Sequence, residues 1–168
     1  RPLHHMYPVK AAVSSEYAKQ VFEDHGNLNI NGGLRLKDNE HIDSQTLCFL
    51  DSIPGKVSYE VDCVPLDSFY DELLTASPHL RGKPVSIVKI DTEGYESTII
   101  SSSAEFFNKY KPCIHAEVFL RHGPAGLSAL WNSFNQIGYT LCSPFTMQPI
   151  SFEQLREFDD VLGMPKES

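Results

Sequence analysis

The pattern of apolar and polar positions predicts short strands and helices that follow one another along the chain. Residues 85–90, with the sequence VSIVKI, are mostly β-branched and carry one charge, which is typical of a buried strand. Apolar residues at helical spacing predict two amphipathic helices, at 66–74 and 127–137. Asp67 or Ser68 is expected to cap the first, which ends before Pro78. Further strands are predicted at residues 7–14, 57–64, 113–119, 139–143 and 161–164.

The remaining segments complete an α/β pattern. One short helix is predicted from Gly94 to about Ile100, and a second from a capping-box pattern that begins at Ser102. Residues 15–60 form a polar insertion with strand candidates at 34–36 and 46–50 and a hairpin tip at Gly32-Gly33. Strands that alternate with helices indicate a parallel sheet, so helices are expected on both faces of the 85–90 strand.

Composition limits the classes of partner. The 168 residues predict a single domain, and 14 basic against 22 acidic residues give a net charge of −8. This balance argues against nucleic acid or an anionic membrane as partner. The sequence contains no apolar run near the length of a membrane span, and a cytoplasmic protein is expected. The four cysteines are far apart, which favours reduced thiols over disulfides or a zinc site.

Acidic side chains follow two of the predicted strands. Asp91 and Glu93 come directly after residues 85–90, and Glu117 follows His115 by two residues at the end of the next strand. The carboxyl ends of parallel strands are where ligands bind in open α/β sheets, so these side chains are expected to converge. Glu96 is open to two interpretations, a site residue or a carboxylate stabilised by a helix N-terminus. His122 is expected to be solvated.

Four segments carry a resemblance to one family. Residues 87–96, with the sequence IVKIDTEGYE, are similar to the Lys-Ile-Asp-x-Glu-Gly-x-Glu signature of the FkbM-type S-adenosylmethionine-dependent methyltransferases. Val9–Ser14, Val64–Phe69 and Tyr110–Glu117 resemble further segments of that family, in the same order. The resemblance therefore covers nearly the whole chain.

The resemblance implies a fold, a reaction and site residues. The fold is a partial class I methyltransferase, with a Rossmann-like mixed β-sheet flanked by helices and a β-hairpin insertion near the N-terminus. The reaction is methyl transfer from S-adenosylmethionine to a hydroxyl of a small molecule or sugar. Asp91, Glu93 and Glu117 become the candidate catalytic residues, Asp91 and Ala12 the candidate cofactor contacts, and no metal ion is implied.

One part of the family pattern is missing from the sequence. Methyltransferases of this class open with a strand that leads to a glycine-rich Asp-x-Gly-x-x-x-Gly turn, which this chain does not contain. We therefore expect residues 1–168 to be an N-terminally truncated domain that lacks its first two strands and has an incomplete cofactor site. The 85–90 strand would then have an open edge, through which the chain could self-associate.

Two alternatives remain open from the residues alone. Without the glycine-rich turn, the chain could be a non-catalytic remnant or pseudoenzyme that serves as an interaction domain. The acidic cluster could also belong to a metal-dependent hydrolase, with Asp91, Glu93, Glu117 and His115 around Mg²⁺ or Ca²⁺. The ligand spacing matches no metal motif, which makes the hydrolase the weaker of the two.

Overall fold

The computed structural model describes residues 8–24, 33–34, 57–92 and 94–166. These residues form a mixed α/β structure with two four-stranded sheets and four α-helices. The predicted alternation of strands and helices is therefore found in the described part of the chain. The strand candidate at residues 46–50 lies outside the described residues.

The first sheet comes from the N-terminal part of the chain. Its strands are β1 (Ala12–Val13), β2 (Ala18–Asp24), β3 (Gly33–Leu34) and β4 (Val57–Val64), in the order β1-β4-β2-β3. β1 is parallel to β4, whereas β2 is antiparallel to both β4 and β3. Gly33 pairs with Glu23 and is the first residue of β3, whereas Gly32, the other residue of the predicted hairpin tip, lies outside the described residues.

The second sheet carries most of the buried core. Its strands are β5 (Ile87–Ile90), β6 (Cys113–Glu117), β7 (Tyr139–Cys142) and β8 (Asp160–Pro165), in the order β5-β6-β8-β7. β5 and β6 are parallel, and β8 is antiparallel to its neighbours β6 and β7. As a consequence β5, β6 and β7 all run in the same direction, and their carboxyl ends lie at one edge of the sheet.

The described α-helices all come after β4 in the chain. The α-helices are α1 (Leu66–Ala76), α2 (Glu96–Ser102), α3 (Ala104–Tyr110) and α4 (Gly123–Gln136). Short 3-10 helices lie at Pro78–Leu80, Leu120–His122 and Leu155–Glu157. α1 ends before Pro78, as its sequence pattern predicts.

The predicted helix caps are wrong at two places. The N-cap of α1 is Pro65, and Asp67 lies inside the first turn. The N-cap of α3 is Ser103, whose side chain makes no capping hydrogen bond. The reason is that α2 and α3 share this residue: the Ser103 N–H donates to Ile99 O, and the Ser103 carbonyl accepts from Phe107 N. The capping-box pattern marks the break between the helices but misplaces the cap.

Only one face of the second sheet is covered by the described helices. Ile90, Ile114 and Val161 belong to a buried cluster with residues of α2, α3 and α4. On the opposite face Ile87 is 61% exposed and Lys89 is also exposed. Helices on both faces were expected because Lys89 is the only charge in β5. Within the described residues that expectation is wrong, because α2, α3 and α4 all pack on the same side.

Tyr139 fixes the buried start of β7 to the segment between α3 and β6. Its hydroxyl donates to Pro112 O at 3.0 Å and lies 3.3 Å from Phe107 O, and its side chain is fully buried. Burial raises the pKa of Tyr139 to about 12. The neutral phenol is therefore the form that the fold favours.

We expect Tyr139→Phe to change the alkaline stability of the protein. The phenol ionises near pH 10 in the unfolded chain, so stability is unaffected by this group below pH 10. The free energy of unfolding should fall by about 2–3 kcal/mol as pH rises toward 12. Tyr139→Phe should cost about 1 kcal/mol at pH 7 and make the alkaline decline shallower. Urea unfolding at several pH values measures both effects.

The matched control is Tyr17→Phe, because Tyr17 is 57% exposed. Burial also raises the pKa of the Cys63, Cys113 and Cys142 thiols, so some alkaline decline should remain in Tyr139→Phe. An alkaline decline as steep as that of the wild type would contradict the assignment.

Candidate functional site

A cavity of about 610 Å³ lies between the two sheets. Ala12 and Val13, at the end of β1, line one side, and Ile90, Asp91 and Thr92, at the end of β5, line the other. Its volume is within the range of about 300–1,000 Å³ found for small-molecule sites. The two predicted cofactor contacts, Ala12 and Asp91, are thus brought to the same cavity.

Open strand edges flank this cavity. Among the described residues β1 pairs only with β4, and β5 pairs only with β6. Cys113 N donates to Ser86 O, so the main-chain groups of every second residue from Ser86 point toward β6. The N–H and C=O groups of Ile87 and Lys89, between them, therefore point to the open side of β5.

Asp91 is held by a neighbouring lysine. Its Oδ2 lies 2.5 Å from Lys89 Nζ, and its side chain is 44% exposed. This hydrogen bond to Asp91 raises the pKa of Lys89, with smaller contributions from Asp160 and Glu117. An exposed ion pair adds little to stability. Its main effect is to hold the Asp91 carboxylate beside the cavity.

Glu117 and His115 lie on the same sheet face as Lys89. His115 is the register partner of Lys89, and Glu117 is the register partner of Asp160 on β8. His115 Nε2 lies 3.4 Å from Asp160 Oδ1. Of the described candidate acids, only Asp91 lines the cavity. The sequence analysis missed Asp160, because nothing local in the sequence shows that β8 pairs with β6.

Glu93 lies outside the described residues. Among the described residues, no group of three or more His, Cys, Asp and Glu side chains is arranged to hold a metal ion. No described helix is long and apolar enough to cross a bilayer.

Glu96 closes the loop that follows β5. Its side chain is buried, with 3% exposure, and Oε1 accepts hydrogen bonds from three donors. These are Thr92 N and Thr92 Oγ1, each at 2.8 Å, and Gly94 N at 3.2 Å. A buried carboxylate needs such partners to offset the cost of leaving water. Glu96 therefore fixes the loop that begins at Asp91.

Gly94 allows this loop to pack tightly on a histidine. It has φ of +108°, and a Cβ placed there would lie 2.1 Å from His122 Cε1. His122 is buried, so the prediction that it is solvated is wrong. A Cβ on Gly126 would lie 2.2 Å from His122 Cβ, so glycines border the imidazole on both sides. The sequence gives no local signal of this burial, because Gly94 belongs to a separate element.

The sequence profile of the Methyltransferase FkbM domain matches residues 6–158. The chain belongs to this family. No curated protein and no solved structure matches the chain.

The geometry gives physical roles to the signature residues of this FkbM methyltransferase domain. Lys89 pairs with Asp91, Glu96 accepts the hydrogen bonds of the loop, and Gly94 has a backbone conformation that favours glycine. Three of these four residues serve to place the fourth, Asp91, at the cavity.

We expect Glu96→Ala to lower the free energy of unfolding by about 2–3 kcal/mol, because it leaves the buried donors of the loop without an acceptor. Glu96→Gln keeps one side-chain oxygen and should lose less. Glu157→Ala, at an exposed glutamate, is the control and should stay within about 0.5 kcal/mol of wild type. Urea unfolding gives the values, and equal losses for Glu96→Ala and Glu157→Ala would refute the role of Glu96.

Gly94→Ala should be more destabilising than Gly82→Ala. Gly82 also has positive φ, +74°, but a Cβ there meets nothing within 4 Å, so its replacement should cost only backbone strain of about 1–2 kcal/mol. At Gly94 the contact with His122 adds to the strain, and about 3 kcal/mol or more is expected.

A double-mutant cycle isolates the contact of Gly94 with the imidazole. In a His122→Ala background, Gly94→Ala should cost at least about 1 kcal/mol less than in the wild type. The same cost in both backgrounds, measured by urea unfolding, would show that His122 does not restrict position 94.

Proposed function

We propose that this domain is an S-adenosylmethionine-dependent methyltransferase that methylates a hydroxyl of a small molecule or sugar. The main support is the position of Asp91, a family signature residue whose carboxylate lines the cavity between the open edges of β1 and β5. A carboxylate at the carboxyl end of a strand is suitably placed to accept a proton from a bound acceptor.

The residues around the cavity fit part of such a cofactor. Ala12, Val13 and Ile90 offer apolar surface for a base, and Asp91 and Thr92 offer oxygens for polar groups. The sequence contains no glycine-rich turn to surround the methionine end. The described residues would therefore hold the cofactor from one side only.

The chemistry of the described residues follows from their placement. The cofactor, when bound, supplies a methyl group activated by a positively charged sulfur. Asp91 takes the proton of the acceptor hydroxyl as that oxygen gains the methyl group. Lys89 restrains the Asp91 carboxylate, and the loop closed by Glu96 sets the position of its backbone. Most of the rate enhancement would come from this positioning of acceptor and base.

We further propose that two additional parallel strands complete the sheet between β1 and β5. The support is that, among the described strands, both have an edge without a partner and that these edges flank the same cavity. The added strands would also bring the glycine-rich turn to the cavity. Where they are absent, the unpaired main-chain groups of Ile87 and Lys89 offer an edge for self-association of the chain.

We expect Asp91→Asn to keep the fold, because the two side chains are nearly isosteric, and to lower methyl transfer about a hundredfold or more. The assay uses the 168-residue chain with millimolar labelled S-adenosylmethionine and a set of hydroxylated acceptors. Asp71→Asn, at an exposed aspartate of α1, is the matched control. An unchanged rate in Asp91→Asn would remove Asp91 from the mechanism.

The same protein samples test whether the cofactor site is incomplete, through the affinity for S-adenosylmethionine. Calorimetry should show only weak binding of S-adenosylmethionine to this chain, for which the millimolar concentration in the assay compensates. Micromolar binding would contradict the proposed incomplete site. Binding without transfer to any acceptor would favour the non-catalytic alternative.

A further inference from the structure

The loop that follows β7 presents two apolar side chains to solvent. Phe145 is 87% exposed and Met147 is 54% exposed. Large apolar side chains with this exposure, close together in sequence, often mark interaction sites.

The loop is held in place by its own hydrogen bonds. Ser143 is buried, and its Oγ accepts from Phe145 N at 3.2 Å and from Thr146 N at 3.4 Å. Met147 N donates to Ser143 O, and Ser143 N donates to Gln148 O, both at 2.9 Å. Met147 adopts φ of 60°, which is uncommon for a residue with a side chain. The backbone is therefore fixed in a conformation that leaves the apolar tip, Phe145 and Met147, in water.

The loop is at the same edge of the sheet as Asp91. β7 runs in the same direction as β5 and β6, so its carboxyl end lies at the edge where β5 ends. Three strand spacings separate β5 from β7 in the order β5-β6-β8-β7, which corresponds to about 14 Å. A molecule that contacts both Asp91 and the apolar tip must span this distance.

The charges near the loop limit the kind of molecule that fits. Residues 143–160 contain one basic residue, Arg156, and four acidic residues, which are Glu153, Glu157, Asp159 and Asp160. This balance disfavours an anionic lipid surface, which binds clusters of basic residues. It is compatible with an apolar molecule that is neutral or positively charged.

We propose that Phe145 and Met147 bind the apolar part of the methyl acceptor, so that the acceptor class is elongated molecules with a hydroxylated end and an apolar end. This inference rests on the proposed methyl transfer at Asp91. It assigns the binding of the acceptor's apolar end to a part of the chain that does not take part in the proton transfer.

The test compares two glucosides that differ only in their apolar part, methyl β-D-glucoside and octyl β-D-glucoside below its micellar concentration. The protein carries ¹³C-methyl labels on its three methionines, Met6, Met147 and Met164. Octyl glucoside should shift the Met147 signal and not that of Met164, which is half-buried in β8. Methyl glucoside should shift Met147 little.

Variants of the loop give the second part of the test. Phe145→Ser should weaken the binding of octyl glucoside about tenfold, because it removes the larger apolar contact. Phe145→Leu should retain most of the affinity. Val21→Ser, at an exposed valine of β2, should leave it unchanged.

Several outcomes would overturn the inference. These are an unshifted Met147, equal binding of the two glucosides, or octyl glucoside binding that is unaffected by Phe145→Ser. A Met147 shift with phosphatidylcholine vesicles but not with monomeric octyl glucoside would assign the tip to a membrane surface instead. Because binding is measured without methyl transfer, failure of the apolar contact and failure of the proposed reaction give different results. If Phe145→Ser leaves methyl transfer to octyl glucoside unchanged, the inference about the apolar tip is overturned and the proposed methyl transfer stands.

Discussion

The candidate site depends on the buried carboxylate of Glu96. An ionised side chain inside a protein is costly unless several donors surround it, and the three donors here all come from the loop between β5 and α2. The loop cannot change its course without removing those donors from a buried charge. Its path in turn requires the positive φ of Gly94 and the close approach to His122. The direction in which Asp91 leaves β5 is thus set by contacts that do not involve its own side chain.

β1 and β5 each have an edge that no described strand pairs with, and these edges impose a second constraint. Buried main-chain groups in proteins are almost always hydrogen-bonded, so an unpaired edge beside a cavity is stable only if water or another strand satisfies it. The cavity between β1 and β5 leaves room for either. One face of the second sheet is exposed at Ile87 and Lys89, next to the open edge of β5. Both features are consistent with additional structure on this side, and the Lys89–Asp91 ion pair and the contact of His115 with Asp160 keep that face polar.

Features that depend on local pattern could be predicted from the sequence, and features that depend on long-range pairing could not. β4 agrees with its predicted bounds, and β5, β6 and α1 lie close to theirs, because apolar periodicity reports which residues face a core. The placement of Asp91 followed from the end of a strand. By contrast, the proximity of His115 to Asp160 depends on the register of β8. The burial of His122 depends on two glycines from separate elements. The predicted cap of α3 was wrong because Ser103 belongs to the ends of two helices.

In the proposed acceptor site, Asp91 would serve the proton transfer, and Phe145 and Met147 would supply binding energy. Asp91 is only partly buried and is paired with an exposed lysine, so its environment alone gives it little catalytic advantage over a carboxylate in water. In the proposed reaction its advantage would come from positioning the acceptor hydroxyl. Apolar contacts at Phe145 and Met147, in the loop after β7, could supply binding energy for that positioning without taking part in proton transfer. A fixed apolar tip would thus serve catalysis by limiting how an elongated acceptor can lie along the carboxyl edge of the sheet.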